Sequence, residues 1–180
     1  PILWYRLFAS TFVDMGFTMN QYDLCVANKQ INNQQMTICW YVDDLKISHQ
    51  DEREVRKIIE VLEAKFGTMN VVHGLQHTYL RMDLTIDDEA VLVSMKDYLN
   101  EAIAAFGEPI NNTAKTPATR TLHEIDDESP SLSQERADVF HHIVAKLLHV
   151  AKRARLDIQP TVVFLCRRVT QSTEQDWTKL

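Results

Sequence analysis

Two adjacent carboxylates, Asp43 and Asp44, are the residues of this 180-residue chain whose spacing best suits chemistry. They separate two β-prone segments, Met36 to Val42 and Leu45 to Ser48, by the two residues that a tight hairpin turn requires. Adjacent ionised carboxylates repel each other unless a cation or a shared proton offsets the charge. Mg²⁺ prefers oxygen ligands and commonly takes one or two carboxylates with substrate phosphates. The pattern therefore fits a magnesium site, and it equally fits a simple turn, in which Asp is common.

A magnesium site of this kind would support nucleotidyl transfer, because two ions about 4 Å apart activate an attacking hydroxyl and stabilise the leaving oxygen.

The histidines are less well placed for a metal site. His142 and His149 lie seven residues apart on a predicted helix, about 10 Å along its axis, and are expected at the surface. His73 and His77 have the spacing of a helical zinc pair, but Gly74 and the β-prone residues around them argue against a helix.

Hydrophobic periodicity predicts the elements that must position Asp43 and Asp44. Helical spacing of apolar residues predicts helices over residues 3–15, 51–66, 95–106 and 137–151, and again over 162–169 after an interruption at Pro160. β-type patterns predict strands over residues 23–27, 36–42, 45–48, 69–72, 78–86 and 91–95. The order of strands and helices predicts an α+β fold, in which an antiparallel sheet carries packed helices.

The composition changes along the chain and predicts its organisation. Residues 108–132 contain Pro109, Pro117, Pro130 and an acidic run, which favours an exposed linker. Residues 1–107 before this segment carry the predicted sheet, and residues 133–180 after it are predicted to be helical. The net charge is −6, yet residues 141–170 hold six basic side chains and one acidic residue, Asp157. This basic stretch fits either a solvated helix face or a surface that binds phosphates.

Several classes of protein are excluded by composition. The longest apolar runs are five residues, far short of the roughly 20 that span a membrane, so no membrane partner is expected. The three cysteines form no CxxC pair, which speaks against a disulfide framework and fits an intracellular setting. Cys25 and Cys39 lie in apolar strands and are expected to be small buried side chains. The four glycines are not spaced as a phosphate-binding loop requires.

The sequence around the two aspartates, Tyr41-Val42-Asp43-Asp44 between apolar strands, resembles motif C of reverse transcriptases. The resemblance extends along the chain to the reverse transcriptase of copia-type long-terminal-repeat retrotransposons. The other matching segments follow in the family's order: Leu3-Trp4-Tyr5 with Gly16-Phe17, Tyr22 to Cys25, Tyr79 to Leu84, Lys115-Thr116-Pro117, Phe140 to Ile158, and Trp177.

This resemblance implies a partial right-hand polymerase palm followed by a helical thumb and the start of a connection. It implies an RNA-directed DNA polymerase that uses two Mg²⁺ ions, with Asp43 and Asp44 as catalytic metal ligands. Other residues would lie near the primer or nucleotide, namely Tyr41, Val42, Leu80 and Arg81. Basic residues of the thumb would hold the nucleic-acid backbone, namely Lys146, Lys152, Arg153 and Arg155.

The resemblance also implies partners and a location. The substrates would be an RNA/DNA primer–template and deoxynucleotides, and the chain would belong to a Pol polyprotein with integrase upstream and ribonuclease H downstream. A cytoplasmic retroelement particle is the implied location. The family's motif A aspartate is expected upstream of Pro1, and the family usually has glycine where Arg81 stands. A decayed or domesticated copy that only binds nucleic acid, and an unrelated two-metal enzyme or interaction domain with an incidental Asp-Asp turn, remain as alternatives.

Overall fold

The computed structural model describes residues 2–110 and 113–180 and has the predicted α+β class. The chain divides into two compact units, residues 1–80 and residues 81–180. The palm, linker and thumb boundaries at residues 107 and 132 rest on composition and resemblance, and they remain predictions. In chain order the elements are α1 (Ile2–Asp14), β1 (Thr18–Met19), β2 (Val26–Ile31), β3 (Gln34–Tyr41), β4 (Asp44–Ser48), α2 (Glu52–Phe66), β5 (Gln76–Tyr79), β6 (Met82–Ile86), β7 (Val91–Ser94), α3 (Lys96–Phe106), α4 (Gln134–Ala151), α5 (Gln159–Cys166) and α6 (Glu174–Lys179).

The first unit is built on an antiparallel sheet with strand order β1-β2-β3-β4. Burial alternates along β3, where Met36, Ile38 and Trp40 are buried, as the two-residue period of a strand requires. These side chains share a core with apolar residues of the two helices, including Phe8 and Phe12 of α1 and Ile58 and Leu62 of α2. The sheet therefore carries two packed helices, as predicted.

The two helices of this unit begin and end close to the predicted positions. Asp51 caps α2, and its side chain accepts a hydrogen bond from the backbone N–H of Arg53. A reciprocal bond from Glu54, which the spacing predicts, is replaced by an ion pair in which Glu54 lies 2.7 Å from Lys57. Gly67 ends the helix with a φ of 93°, a left-handed conformation that glycine adopts without strain.

Two of the predicted strands in residues 69–86 are wrong in detail. Residues 69–72 form no strand, because the chain leaves α2 in a loop in which Glu63 accepts a hydrogen bond from the backbone N–H of Met69. The single strand predicted over 78–86 is interrupted by a two-residue turn at Leu80 and Arg81, with φ angles of 50° and 67°. Neither leucine nor arginine is among the residue types that favour tight turns, so these residues give no sign of one.

The second unit begins with the antiparallel β6–β7 hairpin, in which Asp87 accepts hydrogen bonds from the backbone N–H groups of Glu89 and Ala90. Helix α3 follows and ends at Gly107 in the left-handed conformation, as predicted. Ser133 caps the long helix α4. Pro160 does not interrupt a helix, contrary to the prediction, but lies in the first turn of α5, where a missing N–H costs nothing.

The segment predicted as an exposed linker packs on the helices of the second unit over residues 117–132. Leu122 and Leu132 are buried in one apolar cluster with Phe140, Leu165 and Trp177. Hydrogen bonds join the same segment to residues more than forty positions later in the chain, and these are Thr161 Oγ1 to Pro117 O, Asp126 N to Gln175 Oε1, Gln175 N to Ser129 Oγ and Glu174 N to Pro130 O. Most side chains of this stretch are exposed, as expected, but Leu122, Leu132 and these hydrogen bonds anchor it to the second unit.

Two ion pairs near helix ends of the second unit differ in how far they are buried. Asp176 is 1% exposed and accepts hydrogen bonds from Arg168 Nε at 3.1 Å and from the backbone N–H of Thr173 at 3.0 Å. Arg155 and Asp157 form an exposed pair at 2.8 Å. Among the described residues, none of the helices combines the length and the apolar character needed to cross a membrane.

Candidate active site

Asp43 and Asp44 lie at the tip of the β3–β4 hairpin in the first unit. The turn consists of Val42 and Asp43, one residue earlier than predicted, because Tyr41 pairs with Asp44 across the two strands. Asp44 is consequently the first residue of β4. The four residues from Tyr41 to Asp44 are all exposed, and the Tyr41 and Val42 side chains are 61% and 64% exposed. The hairpin presents both carboxylates to solvent.

The turn has a strained backbone at Val42, whose φ is 54°. This left-handed conformation is rare for a β-branched residue and costs on the order of 1–3 kcal/mol, so the surrounding structure must impose it. Trp4 of α1 is one support, since its Nε1–H donates a hydrogen bond to the carbonyl oxygen of Val42 at 3.4 Å. Trp4 itself is stacked on Phe8 at 5.5 Å and packed edge-on to Phe66 at 5.3 Å between ring centroids. The aromatic core therefore reaches the turn.

A cleft of about 520 Å³ opens beside the two aspartates within the first unit. Its walls come from β4, from the buried side of α2 and from residues 69–79. Residues of that last segment that sequence reasoning did not assign to the site are His73, His77 and Tyr79. The His73 ring lies 3.7 Å from the Glu52 carboxylate. His73 lies in a loop and His77 in β5, so they do not share a helix, as expected.

Tyr79 is the residue of this cleft whose pKa is shifted furthest from its ordinary value. Burial raises the pKa of its phenol, and interactions with the nearby Cys39 and with the Asp44 carboxylate raise the pKa further. Tyr79 therefore places a neutral phenol, a hydrogen-bond donor, in the wall of the cleft. The β-prone run around Tyr79 does not by itself indicate this position, although Tyr79 begins one of the segments that resemble the family.

The donor set at the hairpin tip fits a magnesium ion in part. Two exposed carboxylates in adjacent positions are suitable oxygen ligands, and Mg²⁺ usually completes its shell with waters and substrate phosphates. Within residues 2–110 and 113–180, no three His, Cys, Asp or Glu side chains converge as a metal-binding group. Asp43 and Asp44 therefore supply two ligands, and further oxygen atoms must come from outside the described residues or from a substrate.

Cys25 and Cys39 are both partly buried, Cys25 in the turn before β2 and Cys39 in β3, and burial raises the pKa of the Cys25 thiol. The Cys39 thiol lies 3.8 Å from the carbonyl oxygen of Lys46, as a donor would. A raised pKa makes Cys25 a poor nucleophile. Both side chains are partly buried, but Cys25 lies before β2 and not in a strand as predicted.

Leu80 and Arg81, predicted near the primer, form the turn between β5 and β6. Their left-handed φ angles provide a physical reason why glycine would suit the Arg81 position. The Arg81 side chain turns to α3, where its guanidinium lies 5.3 Å from the Tyr98 ring centroid and donates a hydrogen bond to Glu101.

The four basic residues predicted to hold nucleic acid differ in their surroundings. Lys152, Arg153 and Arg155 are exposed where α4 ends, although Arg155 is paired with Asp157. Lys146 is only 17% exposed in its side chain, lies 4.7 Å from the Tyr98 ring centroid and pairs with Glu101 at 3.6 Å. The structure thus brings three of the four together on one exposed segment and places Lys146 in a different cluster.

Histidine 149 lies in the Lys146 cluster rather than freely at the surface. Its ring packs on Tyr98 with 5.1 Å between centroids, so the expectation of a surface residue is wrong for His149, whereas His142 is exposed as predicted. The reason is that α3 covers this part of α4, a tertiary contact that the periodicity of either helix alone does not indicate.

A family model described as reverse transcriptase (RNA-dependent DNA polymerase) matches residues 1–120. The match covers two thirds of the 180 residues and includes the Tyr41 to Asp44 hairpin, and the chain belongs to this family. Among curated proteins and solved structures, none matches the chain.

Proposed function

We propose that this chain is part of the reverse transcriptase of a copia-type long-terminal-repeat retrotransposon and copies RNA into DNA by adding deoxynucleotides to a primer. Residues 1–107 would contribute the palm, residues 108–132 the linker, and residues 133–180 the thumb and the start of the connection. The observation that carries this proposal is the pair of exposed carboxylates at a strained hairpin tip, in a chain of the reverse transcriptase family.

Asp43 and Asp44 would hold Mg²⁺ together with a third carboxylate from the family's motif A. When bound, a pair of such ions lowers the barrier to attack of a primer hydroxyl on a nucleotide phosphate. The chain's own residues serve positioning. The Trp4 hydrogen bond and the α1 core hold the Val42 turn, and the exposed position of Asp43 leaves its carboxylate open to ligands.

Tyr41 and Val42 flank the carboxylates and present apolar surface to solvent, which suits contact with the end of a base-paired primer. Leu80 would lie near the same primer end. The exposed cations Lys152, Arg153 and Arg155 would bind the phosphate backbone without reading sequence. The partners would be primer–template, deoxynucleotides and the remainder of a Pol polyprotein, inside a cytoplasmic retroelement particle.

Primer extension on a poly-ribonucleotide template with Mg²⁺ tests the catalytic part of the proposal. The chain of 180 residues alone is expected to show no extension, because Asp43 and Asp44 do not complete a two-metal site. Fusion of a family fingers and motif A segment to its amino terminus should restore extension. In that fusion Asp43→Asn should reduce the rate by several orders of magnitude, and Asp44→Asn should reduce it less.

Asp88→Asn is the matched control, since Asp88 is an exposed turn aspartate in the β6–β7 hairpin. It removes the same charge and should leave extension unchanged. Full activity of the Asp43→Asn fusion, or activity of the unfused chain, would contradict the assignment of the metal site.

The salt dependence of duplex binding tests the thumb. The logarithm of the affinity should fall linearly with the logarithm of salt concentration, with a slope of about 0.9 per phosphate neutralised. Replacement of Lys152, Arg153 and Arg155 by Ala together should flatten this slope by about two to three phosphates. An unchanged slope in the triple variant would exclude these residues from the phosphate contacts.

A further inference from the structure

The ring of Tyr98 on α3 is a platform for two cations that come from distant parts of the second unit. The guanidinium carbon of Arg81, in the turn before β6, lies 5.3 Å from the ring centroid, and Lys146 Nζ of α4 lies 4.7 Å from it. Such distances place both cations within range of the negative ring face. The His149 ring packs against the same tyrosine at 5.1 Å. The turn before β6 and helix α4 therefore each bring a cation to one ring of α3.

One carboxylate, Glu101, holds both cations. Glu101 Oε1 accepts a hydrogen bond from Arg81, and Glu101 Oε2 lies 3.6 Å from Lys146 Nζ. The Arg81 hydrogen bond lowers the pKa of Glu101, and the charges of Arg81 and Lys146 act in the same direction. Glu101 is thus ionised at neutral pH, and the cluster of Arg81, Lys146 and Glu101 carries two positive charges and one negative charge.

The exposure of Arg81, Lys146 and Glu101 would allow the Glu101 carboxylate to be replaced by another anion. Lys146 is 17% exposed, so its ammonium is already fixed and partly desolvated, whereas Arg81 and Glu101 are 55% and 50% exposed. A half-exposed carboxylate on a helix surface can rotate into water at little cost, because a surface ion pair contributes only about 0–1 kcal/mol. The cations would then be free to bind another anion.

We propose that Arg81 and Lys146 form a binding subsite for a phosphate group and that the Glu101 carboxylate occupies this subsite when phosphate is absent. A guanidinium fork beside an ammonium matches the oxygens of a phosphate, which offers more acceptors than a carboxylate. The inference rests on the proposed function in one respect, namely that the phosphate belongs to a nucleic-acid backbone rather than to a free phosphate or pyrophosphate.

The subsite is a property of this chain's own residues. Arg81 occupies a left-handed position at which glycine would be unstrained, and its contacts with Tyr98 and Glu101 compensate for that strain. The subsite also gives Lys146 a binding role that its low exposure alone would not suggest, since the ammonium becomes accessible only when Glu101 moves.

The test compares the 180-residue chain with Glu101→Gln, which keeps the shape of the side chain and removes its charge. Binding of a labelled primer–template duplex is measured by fluorescence anisotropy between 50 mM and 1 M salt. Glu101→Gln should bind the duplex about tenfold more tightly at 50 mM salt and lose the gain near 1 M, with a slope steeper by about 0.9 to 1.8. Adding Lys146→Met to Glu101→Gln should remove the gain.

Glu60→Gln is the matched control, because Glu60 is an exposed helix carboxylate of α2 outside the cluster. Equal gains from Glu101→Gln and Glu60→Gln would overturn the subsite, since net charge alone would then account for both. A second titration, with inorganic pyrophosphate and followed by calorimetry, distinguishes failure of the subsite from failure of the proposed function.

Pyrophosphate binding by Glu101→Gln that Lys146→Met abolishes would support the subsite. If no variant bound the duplex while this pattern held, the subsite would stand and the proposed function would fail. If the duplex bound but Glu101→Gln changed neither affinity nor slope, the subsite would be wrong and the proposed function would stand. Absence of both duplex and pyrophosphate binding in Glu101→Gln would overturn the subsite. Circular dichroism of each variant establishes that it is folded.

Discussion

Replacement of Asp176 by Asn should strongly destabilise the end of the second unit. Asp176 is 1% exposed, and its carboxylate accepts hydrogen bonds from Arg168 Nε, at 3.1 Å to each oxygen, and from the Thr173 backbone N–H and hydroxyl at 3.0 and 3.1 Å. The amide keeps the size of the side chain but places an NH₂ group where one oxygen accepted a hydrogen bond. It also leaves the Arg168 guanidinium, whose side chain is 19% exposed, without a counter-charge.

The expected loss is about 3–5 kcal/mol, the usual result of removing one partner from a buried ion pair. Asp157→Asn is the internal comparison, because Asp157 makes the same kind of pair with Arg155 at 2.8 Å while both side chains are 50% exposed. That change should cost at most about 1 kcal/mol. Replacement of both buried partners, Asp176→Leu with Arg168→Met, should cost less than Asp176→Asn alone, since it leaves no unpaired charge.

Amide hydrogen exchange measured by mass spectrometry over residues 156–180 gives the free energy of local opening for each variant. Equal losses for Asp176→Asn and Asp157→Asn would refute the reasoning, because burial would then make no difference to the contribution of the pair. A double variant that is less stable than Asp176→Asn would also refute it, by showing that packing of the two side chains outweighs their charges.

Other predictions concern the segment before α4 and the cap of α2. Leu122→Ala should destabilise the second unit by about 2–4 kcal/mol, because Leu122 is buried in its core. Ile125→Ala, at an exposed position of the same segment, should change the free energy of unfolding by less than about 0.5 kcal/mol. Similar losses for the two variants in urea denaturation would show that the segment is not packed. The pKa of Asp51 is lowered to about 2, first by the hydrogen bond from the Arg53 side chain and then by that from its backbone N–H. Because its pKa is lowered in the folded state, Asp51 stabilises the fold above the unfolded pKa near 3.8, and this stabilisation is lost as the pH falls towards 2. The Asp51 carboxyl should therefore titrate near pH 2 by NMR, and at a higher pH in Arg53→Ala. An unchanged titration midpoint in that variant would contradict the assigned cause.

Local signals in the sequence were sufficient for much of the fold. The spacing of Phe8 and Phe12, and the stripe from Val55 to Phe66, define helices that the structure contains, because one apolar face of a helix must be buried. The alternation of Met36, Ile38 and Trp40 predicts the central strand of the sheet for the same reason. The prediction of two carboxylates near a hairpin turn was right to within one residue.

The remaining features depend on contacts between residues far apart in the chain. Val42, Leu80 and Arg81 adopt left-handed backbone angles that their residue types disfavour. At Val42 the register of β3 and β4, rather than the residue type, fixes the position of the turn. Glu101 and Lys146 stand on different helices, and neither helix's own pattern indicates that they meet. The packing of residues 117–132 on the second unit depends on two leucines, Leu122 and Leu132, whose spacing follows no helix or strand period.

The hydrogen bonds between residues 117–132 and the α5–α6 region have a consequence for the order of events during synthesis. Asp126 and Ser129 cannot form their hydrogen bonds with Gln175 until that residue has been synthesised, 49 and 46 positions later. At roughly 5–20 residues per second, a ribosome needs about 2–10 s to add that stretch. During this interval Trp177 does not yet cover Leu122, so the newly made chain exposes the apolar surface of this leucine until α6 packs against it.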